Sequence, residues 1–230
     1  MSHPADISGA PAARQPTPGL VAERAYFELR DRIVTLRLPP GACLREDELM
    51  AELDLGRTPL REAIKRLTLE HLVDVRPRRG TYVTDVHAAD IAQITEVRAP
   101  LEGHAAQLAA QRMDDALRAE AHGLVDALEA LEPADGEALM RADERVHRFA
   151  WRAAGNGYLA ATLEGYYALS LRVWYLVLDR VPGLSATVHD EHRLLEALLA
   201  GDGDAAGERM REHVLAFEAD VARALGAEPA

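Results

Sequence analysis

Apolar residues recur at helical spacing along most of the chain, and the breaks between these stretches divide it into predicted elements. A helix is predicted over residues 21–37, followed by a turn at Pro39-Pro40-Gly41. A short helix over 46–53 leads through a tight turn into a second helix over 58–72, with Thr58 as the N-cap. Residues 73–83 are typical of two short strands joined by a basic turn.

Beyond residue 87 the pattern stays helical, without the alternation typical of strands. Six segments are predicted, at about 88–112, 114–131, 134–154, 157–179, 185–200 and 203–225. Short connections between them imply antiparallel neighbours and therefore a helical bundle. A break in the first segment would make seven helices. The predicted fold class is mainly α, with a flexible tail over 1–20, a first domain over 21–86 and a helical domain over 87–226.

Helix, turn, helix and basic hairpin, in this order, predict a winged helix-turn-helix, which places its second helix in the major groove of DNA. Arg57, Thr58 and Arg61 begin that helix and are expected to meet phosphates and base edges. Arg79 at the tip of the wing is expected to enter a minor groove, with Gly80 permitting close backbone approach. The alternative is a solvated basic helix beside an unrelated hairpin.

The net charge of −12 is unusual for a DNA-binding protein until it is divided along the chain. Residues 21–86 carry 12 basic and 12 acidic side chains, whereas residues 87–230 carry 13 and 25. Within the first domain, residues 57–80 hold seven basic residues against three acidic ones. A basic patch on an acidic protein suits selective rather than indiscriminate binding to nucleic acid.

Composition excludes some classes of protein. The single cysteine, Cys43, rules out an internal disulfide and favours a reducing compartment. No apolar run approaches the length that spans a bilayer, and the N-terminus lacks a signal-peptide pattern. We therefore expect a cytoplasmic protein with no membrane partner.

Four polar residues in the helical domain could share a metal ion. Asp143 and His147 are four residues apart on one predicted helix face, and His192 and His213 lie in two later helices. A carboxylate and three imidazoles would suit zinc first, with nickel, manganese or iron as alternatives. The other interpretation of this spacing is that the histidines are exposed or satisfied by a neighbour.

Residues 21–86 resemble the winged helix-turn-helix of the GntR family. The matching residues are Gly41, Leu44, Glu46, Leu55-Gly56-Arg57-Thr58-Pro59-Leu60-Arg61-Glu62-Ala63-Ile64, Leu72-Val73 and Arg79-Gly80-Thr81-Tyr82-Val83. Family members often have Ser-Glu-Arg where this chain has Arg45-Glu46-Asp47. The resemblance therefore implies DNA binding and leaves open whether Arg45 replaces a phosphate contact.

Residues 88–215 resemble the all-helical FCD domain of the FadR-type branch of that family, in its six-helix form. The matching residues are Val97-Arg98, Leu101-Glu102, Asp143, Val146-His147, Gly155-Asn156, Arg172, Glu191-His192, Leu195, Ala197-Leu198, Gly201-Asp202, Ala205-Ala206 and His213. In metal-binding members the Asp and three His at these positions hold a divalent metal. The resemblance thus implies that Asp143, His147, His192 and His213 are ligands.

Arg98 and Arg172 are predicted to point into the same cavity, where each could pair with a carboxylate effector. The alternative for Arg98 is a salt bridge with Glu102, four residues later. Tyr167 and Trp174 are interpreted as core or interface residues.

These features together predict a homodimeric transcriptional regulator, most simply a repressor and not an enzyme, that binds a pseudo-palindromic operator. A small carboxylate at the metal would modulate DNA binding. One rival is a helical metalloenzyme that activates water, although no general acid or base is evident beside the four ligands. Another is a DNA-binding protein with a purely structural bundle.

Overall fold

A computed structural model of the chain describes residues 18–132, 136–177 and 184–225. Residues 1–17 of the tail predicted over 1–20 lie outside the described residues, and residues 18–20 belong to the first helix. Helix α1 spans Pro18–Val34, so it starts and ends three residues earlier than predicted. Proline is favoured in the first turn of a helix, where its missing N–H has no partner to lose. Among the described residues, no helix is both long and apolar enough to cross a membrane.

Residues 18–86 form the N-terminal unit, here called the head. Its elements are α1, α2 (Glu46–Leu53), α3 (Arg57–Leu69), β1 (Val73–Arg76) and β2 (Gly80–Val83). Helices α1 and α3 pack together through fully buried Leu29, Ile33, Leu60 and Leu67. The strands pair antiparallel, with Val73 opposite Val83.

The link between α2 and α3 turns through Asp54, whose backbone is left-handed (φ 51°), and Leu55, which is buried. Gly56, not Thr58, occupies the N-cap position of α3, and no side chain caps it. The predicted N-cap is therefore wrong. Extended backbone at Gly56 lets the helix begin at once, with Arg57 in its first turn. At the far end of the unit, Gly80 has φ 113°, which a residue with a Cβ rarely adopts.

Residues 87–225, here called the bundle, contain six helices in their described part. They are α4 (Ala88–Gln111), α5 (Asp115–Glu129), α6 (Gly136–Ala153), α7 (Gly157–Val177), α8 (Leu184–Ala200) and α9 (Gly203–Leu225). Helix α4 is continuous through Pro100, so the seven-helix alternative is not observed. The mainly α fold with a winged head and an antiparallel bundle is confirmed.

Helices α4 and α9 make the most extensive contact in the bundle, because small residues let their backbones approach. A Cβ on Gly207 would lie 3.0 Å from the carbonyl oxygen of Gly103, and one on Gly103 would lie 2.9 Å from that of Gly207. Both glycines are therefore required by packing, and the contact fixes how α9 is placed against the rest of the bundle.

Head and bundle meet along α7. Ala168 of α7 belongs to the apolar core of the head. Arg30 of α1 donates to the backbone oxygen of Glu164 at 3.0 Å and to its carboxylate at 2.7 Å. Arg172 donates to the Thr84 hydroxyl at 2.7 Å and also to the Thr84 carbonyl, just after β2. Helix α7 of the bundle thus contacts both α1 and the segment just after β2 in the head.

Candidate metal centre and DNA-reading surface

Three side chains, here called the polar cluster, meet inside the bundle: Asp143 and His147 from α6 and His213 from α9. His213 Nε2 lies 3.0 Å from Asp143 Oδ1 and 3.1 Å from His147 Nε2. His147 Nε2 is 3.6 Å from the same Asp143 oxygen. The four-residue spacing places Asp143 and His147 on one face of α6. One carboxylate oxygen and two imidazole nitrogens this close form a donor set suited to a divalent transition metal.

Glu102 of α4 fixes the orientation of His147. It is fully buried, and its carboxylate contacts the Nδ1 atom of His147. The same carboxylate accepts hydrogen bonds from Arg98 at 2.6 Å and from the Trp151 indole at 3.3 Å. Because a carboxylate holds Nδ1, Nε2 is the nitrogen that faces the polar cluster. Metal-binding histidines are commonly held this way.

Opposing charges in and around the polar cluster shift its pKa values strongly. Burial opposes ionisation of Glu102, but Arg98 and His147 outweigh it and lower the pKa of Glu102 to about 2. Burial also lowers the pKa of His147, yet the carboxylates of Glu102 and Asp143 raise it to about 9. Burial of Asp143 is likewise outweighed, chiefly by His147, which holds the pKa of Asp143 well below its usual range. A cation in the polar cluster would take the place of the proton on His147.

Tyr167 of α7 also contacts Asp143. Its hydroxyl donates to Asp143 Oδ2 at 2.6 Å, while the other carboxylate oxygen faces the histidines. Burial, reinforced by Asp143, raises the pKa of Tyr167 well above its usual value, so the hydroxyl stays a donor. Tyr167 is buried, as its interpretation as a core residue requires, but it also orients a member of the polar cluster.

His192 lies outside the polar cluster. Its Nε2 atom is 3.4 Å from the carboxylate of Glu129, and its side chain is 26% exposed. The neighbouring Glu191 faces inward instead and is 1% exposed, and burial together with the nearby Asp143 raises its pKa well above the usual value. One residue along a helix turns the side chain by about 100°. The structure therefore brings together three of the four expected ligands.

Arg98 and Arg172 do not share a cavity. Arg98 lines the cavity beside the polar cluster, but its guanidinium pairs with Glu102 at 2.6 Å, with both side chains buried. This is the internal salt bridge considered as its alternative. Arg172 projects to Thr84 of the head instead, because it lies on the side of α7 that packs toward the hairpin. The prediction that both arginines face one cavity is therefore wrong.

A cavity of about 80 Å³ opens beside the polar cluster. Tyr167, Ser170 and the three members of the polar cluster form part of its wall. The rest of the wall is mainly apolar, with Leu139, Met140, Leu171, Trp174, Val214 and Phe217. The candidate metal centre therefore faces a space in which a small molecule could bind.

A second group of residues lies at the surface of the head, where α2 meets the start of α3. Arg45, Arg57 and Arg61 line one cleft there together with acidic residues of α2. In that cleft Arg61 pairs with Glu46 at 3.0 Å, and the three arginine side chains are 60–70% exposed. These ion pairs are weak in water, so the guanidinium groups are available to other anions.

The remaining residues predicted to read DNA are also exposed. Thr58 lies in the first turn of α3, and Arg79 and Gly80 lie at the tip of the hairpin. The Tyr82 hydroxyl donates to the Arg79 carbonyl at 2.8 Å, which ties the tip to β2. Each of these residues is therefore on the surface of the head.

Comparison with known proteins identifies this architecture. The gntR family of bacterial regulatory proteins matches residues 21–83, and the FCD domain matches residues 93–216. The chain belongs to the GntR family. It is 30% identical to an HTH-type transcriptional regulator of Streptomyces ambofaciens, over 86% of this chain and 84% of that one. It is also 30% identical to the Escherichia coli HTH-type transcriptional repressor GlaR, over 83% of this chain and 90% of GlaR.

The solved structure of E. coli McbR/YncC is similar in fold to this GntR-family chain. It aligns with a TM-score of 0.78 at 22% identity, covering 88% of this chain and 97% of that one. The family and the relatives make this protein a transcriptional regulator with an FCD domain, not an enzyme. Regulators of the GntR family bind operator DNA.

Sequence patterns missed two contacts of this GntR regulator. The link from Tyr167 to Asp143 joins residues 24 positions apart on different helices, so no local pattern marks it. The contact between Glu102 and His147 spans 45 positions. The motif containing Arg98 and Glu102 did mark two polar residues on a buried face, which was the available signal.

Proposed function

We propose that this regulator is a homodimeric repressor of the FadR-type branch, whose operator binding is modulated by a small carboxylate at a divalent metal in the FCD domain. The convergence of Asp143, His147 and His213 beside a cavity carries the proposal. Repression is supported by GlaR, which is itself a transcriptional repressor. Zinc is the first candidate for the metal, with nickel, manganese and iron as alternatives.

The donor set fits a divalent ion. Asp143, His147 and His213 would be its protein ligands, and Glu102 and Tyr167 orient two of them from behind. The ion would supply positive charge that attracts a carboxylate into the cavity beside the polar cluster. His192 would have to leave Glu129 to join the polar cluster. Its role as a ligand is therefore tested with a variant of its own.

The arginines of the head would bind the operator. On binding, phosphate oxygens or guanine edges would replace the α2 carboxylates that now pair with Arg45, Arg57 and Arg61. The exchange costs little, because these ion pairs are exposed and weak. Thr58 beside them, with Arg79 and Gly80 at the wing, would complete the contact surface. In a dimer, two heads would meet major grooves about 34 Å apart, which matches a pseudo-palindromic operator.

Contacts along α7 would carry the response from bundle to head. Tyr167 contacts Asp143, and one turn earlier on the same helix Glu164 binds Arg30 of the head. Farther along α7, Arg172 binds Thr84. An effector that binds one arrangement of α7 better than another would shift the population of head orientations.

Metal content tests the proposal first. Full-length protein purified without chelator should hold about one divalent ion per chain, or take it up on titration. His213→Gln should abolish tight binding, whereas His122→Gln, an exposed histidine on α5, should leave it unchanged. Loss of binding in His192→Gln would add that residue to the ligand set. Metal below about 0.2 per chain with no uptake on titration would contradict the proposal.

Operator binding separates sensing from DNA recognition. In fluorescence anisotropy with operator DNA, His213→Gln should keep its DNA affinity and lose its response to the effector. Retained response without bound metal would refute a metal-anchored effector. Arg61→Ala should show the converse, with weakened DNA binding and intact metal content.

A further inference from the structure

The cavity beside the polar cluster has a polar end and an apolar end. On α9, His213 is followed one turn later by Phe217, and on α7 Tyr167 is followed two turns later by Trp174. One turn advances about 5.4 Å. The Trp174 and Phe217 rings meet with their centroids 5.1 Å apart, and they close the apolar end. A ligand with a polar group at one end and an apolar body at the other would match this lining.

The charges around the cavity favour a ligand that carries a single carboxylate. Outside the polar cluster, Arg98 is the one cation among the described residues that line it, and that guanidinium is already neutralised by Glu102. Asp190 and Asp220 also line the cavity and add negative charge to its wall. A second carboxylate on a ligand would lose its hydration without gaining a cation, which is costly in a partly buried site.

Ser170 supplies an unused polar group. Ser170 is one of the residues that line the cavity and is 2% exposed, and its hydroxyl oxygen is buried with no hydrogen-bond partner among the described residues. Buried hydroxyls are normally satisfied, so this one points to a ligand or a water that completes it. Ser170 lies three residues after Tyr167, which places it within one helical turn of the Tyr167 contact to Asp143.

We propose that the effector is a small monocarboxylate with an apolar body, and not a di- or tricarboxylate. Its carboxylate binds at the polar cluster and accepts a hydrogen bond from Ser170, and its apolar body packs against Trp174 and Phe217. The cavity of about 80 Å³ suits a small organic acid. The inference rests on the proposed function, because the metal supplies the charge that holds the carboxylate.

Isothermal titration of zinc-loaded, full-length protein tests the inference. We use 3-methylbutanoate as a monocarboxylate with an apolar body, succinate as a dicarboxylate of similar size, and citrate. 3-Methylbutanoate should bind at least tenfold more tightly than succinate or citrate. Tighter binding of succinate or citrate would overturn the inference while leaving the proposed function standing. Failure of the protein to hold zinc, nickel, manganese or iron would instead refute the proposed function, and the inference with it.

Two variants on α7 test the role of Ser170. Ser170→Ala should weaken 3-methylbutanoate binding about three- to tenfold, the effect of losing one hydrogen bond. The matched control is Thr162→Ala, which removes an exposed hydroxyl from the same helix and should leave the affinity unchanged. Zinc affinity should be the same in both variants. Unchanged 3-methylbutanoate affinity in Ser170→Ala would contradict the assigned contact.

Discussion

Replacing Glu102 by Gln tests how the polar cluster is held in place. The fully buried carboxylate of Glu102 contacts Arg98, His147 and Trp151 at once. Glutamine keeps the shape but leaves Arg98 as a buried cation without a counter-ion. Removing one partner of a buried ion pair costs roughly 3–5 kcal/mol. Because His147 loses the group that orients it, zinc affinity should also fall roughly 10- to 100-fold.

Urea unfolding of the metal-free protein measures the first effect, and zinc titration against a competing chelator measures the second. Glu120→Gln is the matched control, because Glu120 pairs with Arg152 at the surface and should change stability by less than about 1 kcal/mol. If Glu102→Gln does not fold, Arg98→Met with Glu102→Gln removes both charges together and restores stability. Wild-type zinc affinity in a variant without the Glu102 carboxylate would refute its role in positioning His147.

Three further predictions concern packing, pH and DNA. Gly207→Leu should destabilise the protein by roughly 1–3 kcal/mol in urea unfolding, because its side chain meets the backbone of Gly103; Gly123→Leu, with open space around it, should cost less. Burial opposes ionisation of Glu164, but two arginines lower its pKa. The stabilisation it gives at neutral pH is therefore lost as pH falls through that lowered pKa, and Glu164→Gln should flatten the acid side of a plot of stability against pH. Arg61→Ala should weaken operator binding by roughly 1–3 kcal/mol and relax specificity at one base pair; an equal loss on all operator variants in anisotropy titrations would make it a phosphate contact.

Local patterns were sufficient to predict the elements of the head. The period of apolar residues, the Asp54-Leu55-Gly56 turn and the glycine at position 80 each act within a few residues, so the sequence displays them directly. Helix ends were less certain. Thr58 was predicted to be the N-cap of α3, but Gly56 occupies that position, between Leu55 and Leu60, which are both buried.

By itself the sequence determined the fold class, the six helical segments of the bundle and the family of regulators. It also determined that Asp143 and His147 share a helix face, since helical spacing alone requires this. Only the tertiary structure decided which side chains from other helices meet them. His213 arrives because α9 packs closely on α4, whereas His192 turns outward and Arg172 turns toward the head. The physical reason is that the direction of a side chain around a helix axis depends on how whole helices pack, and that packing is set by contacts far apart in the chain.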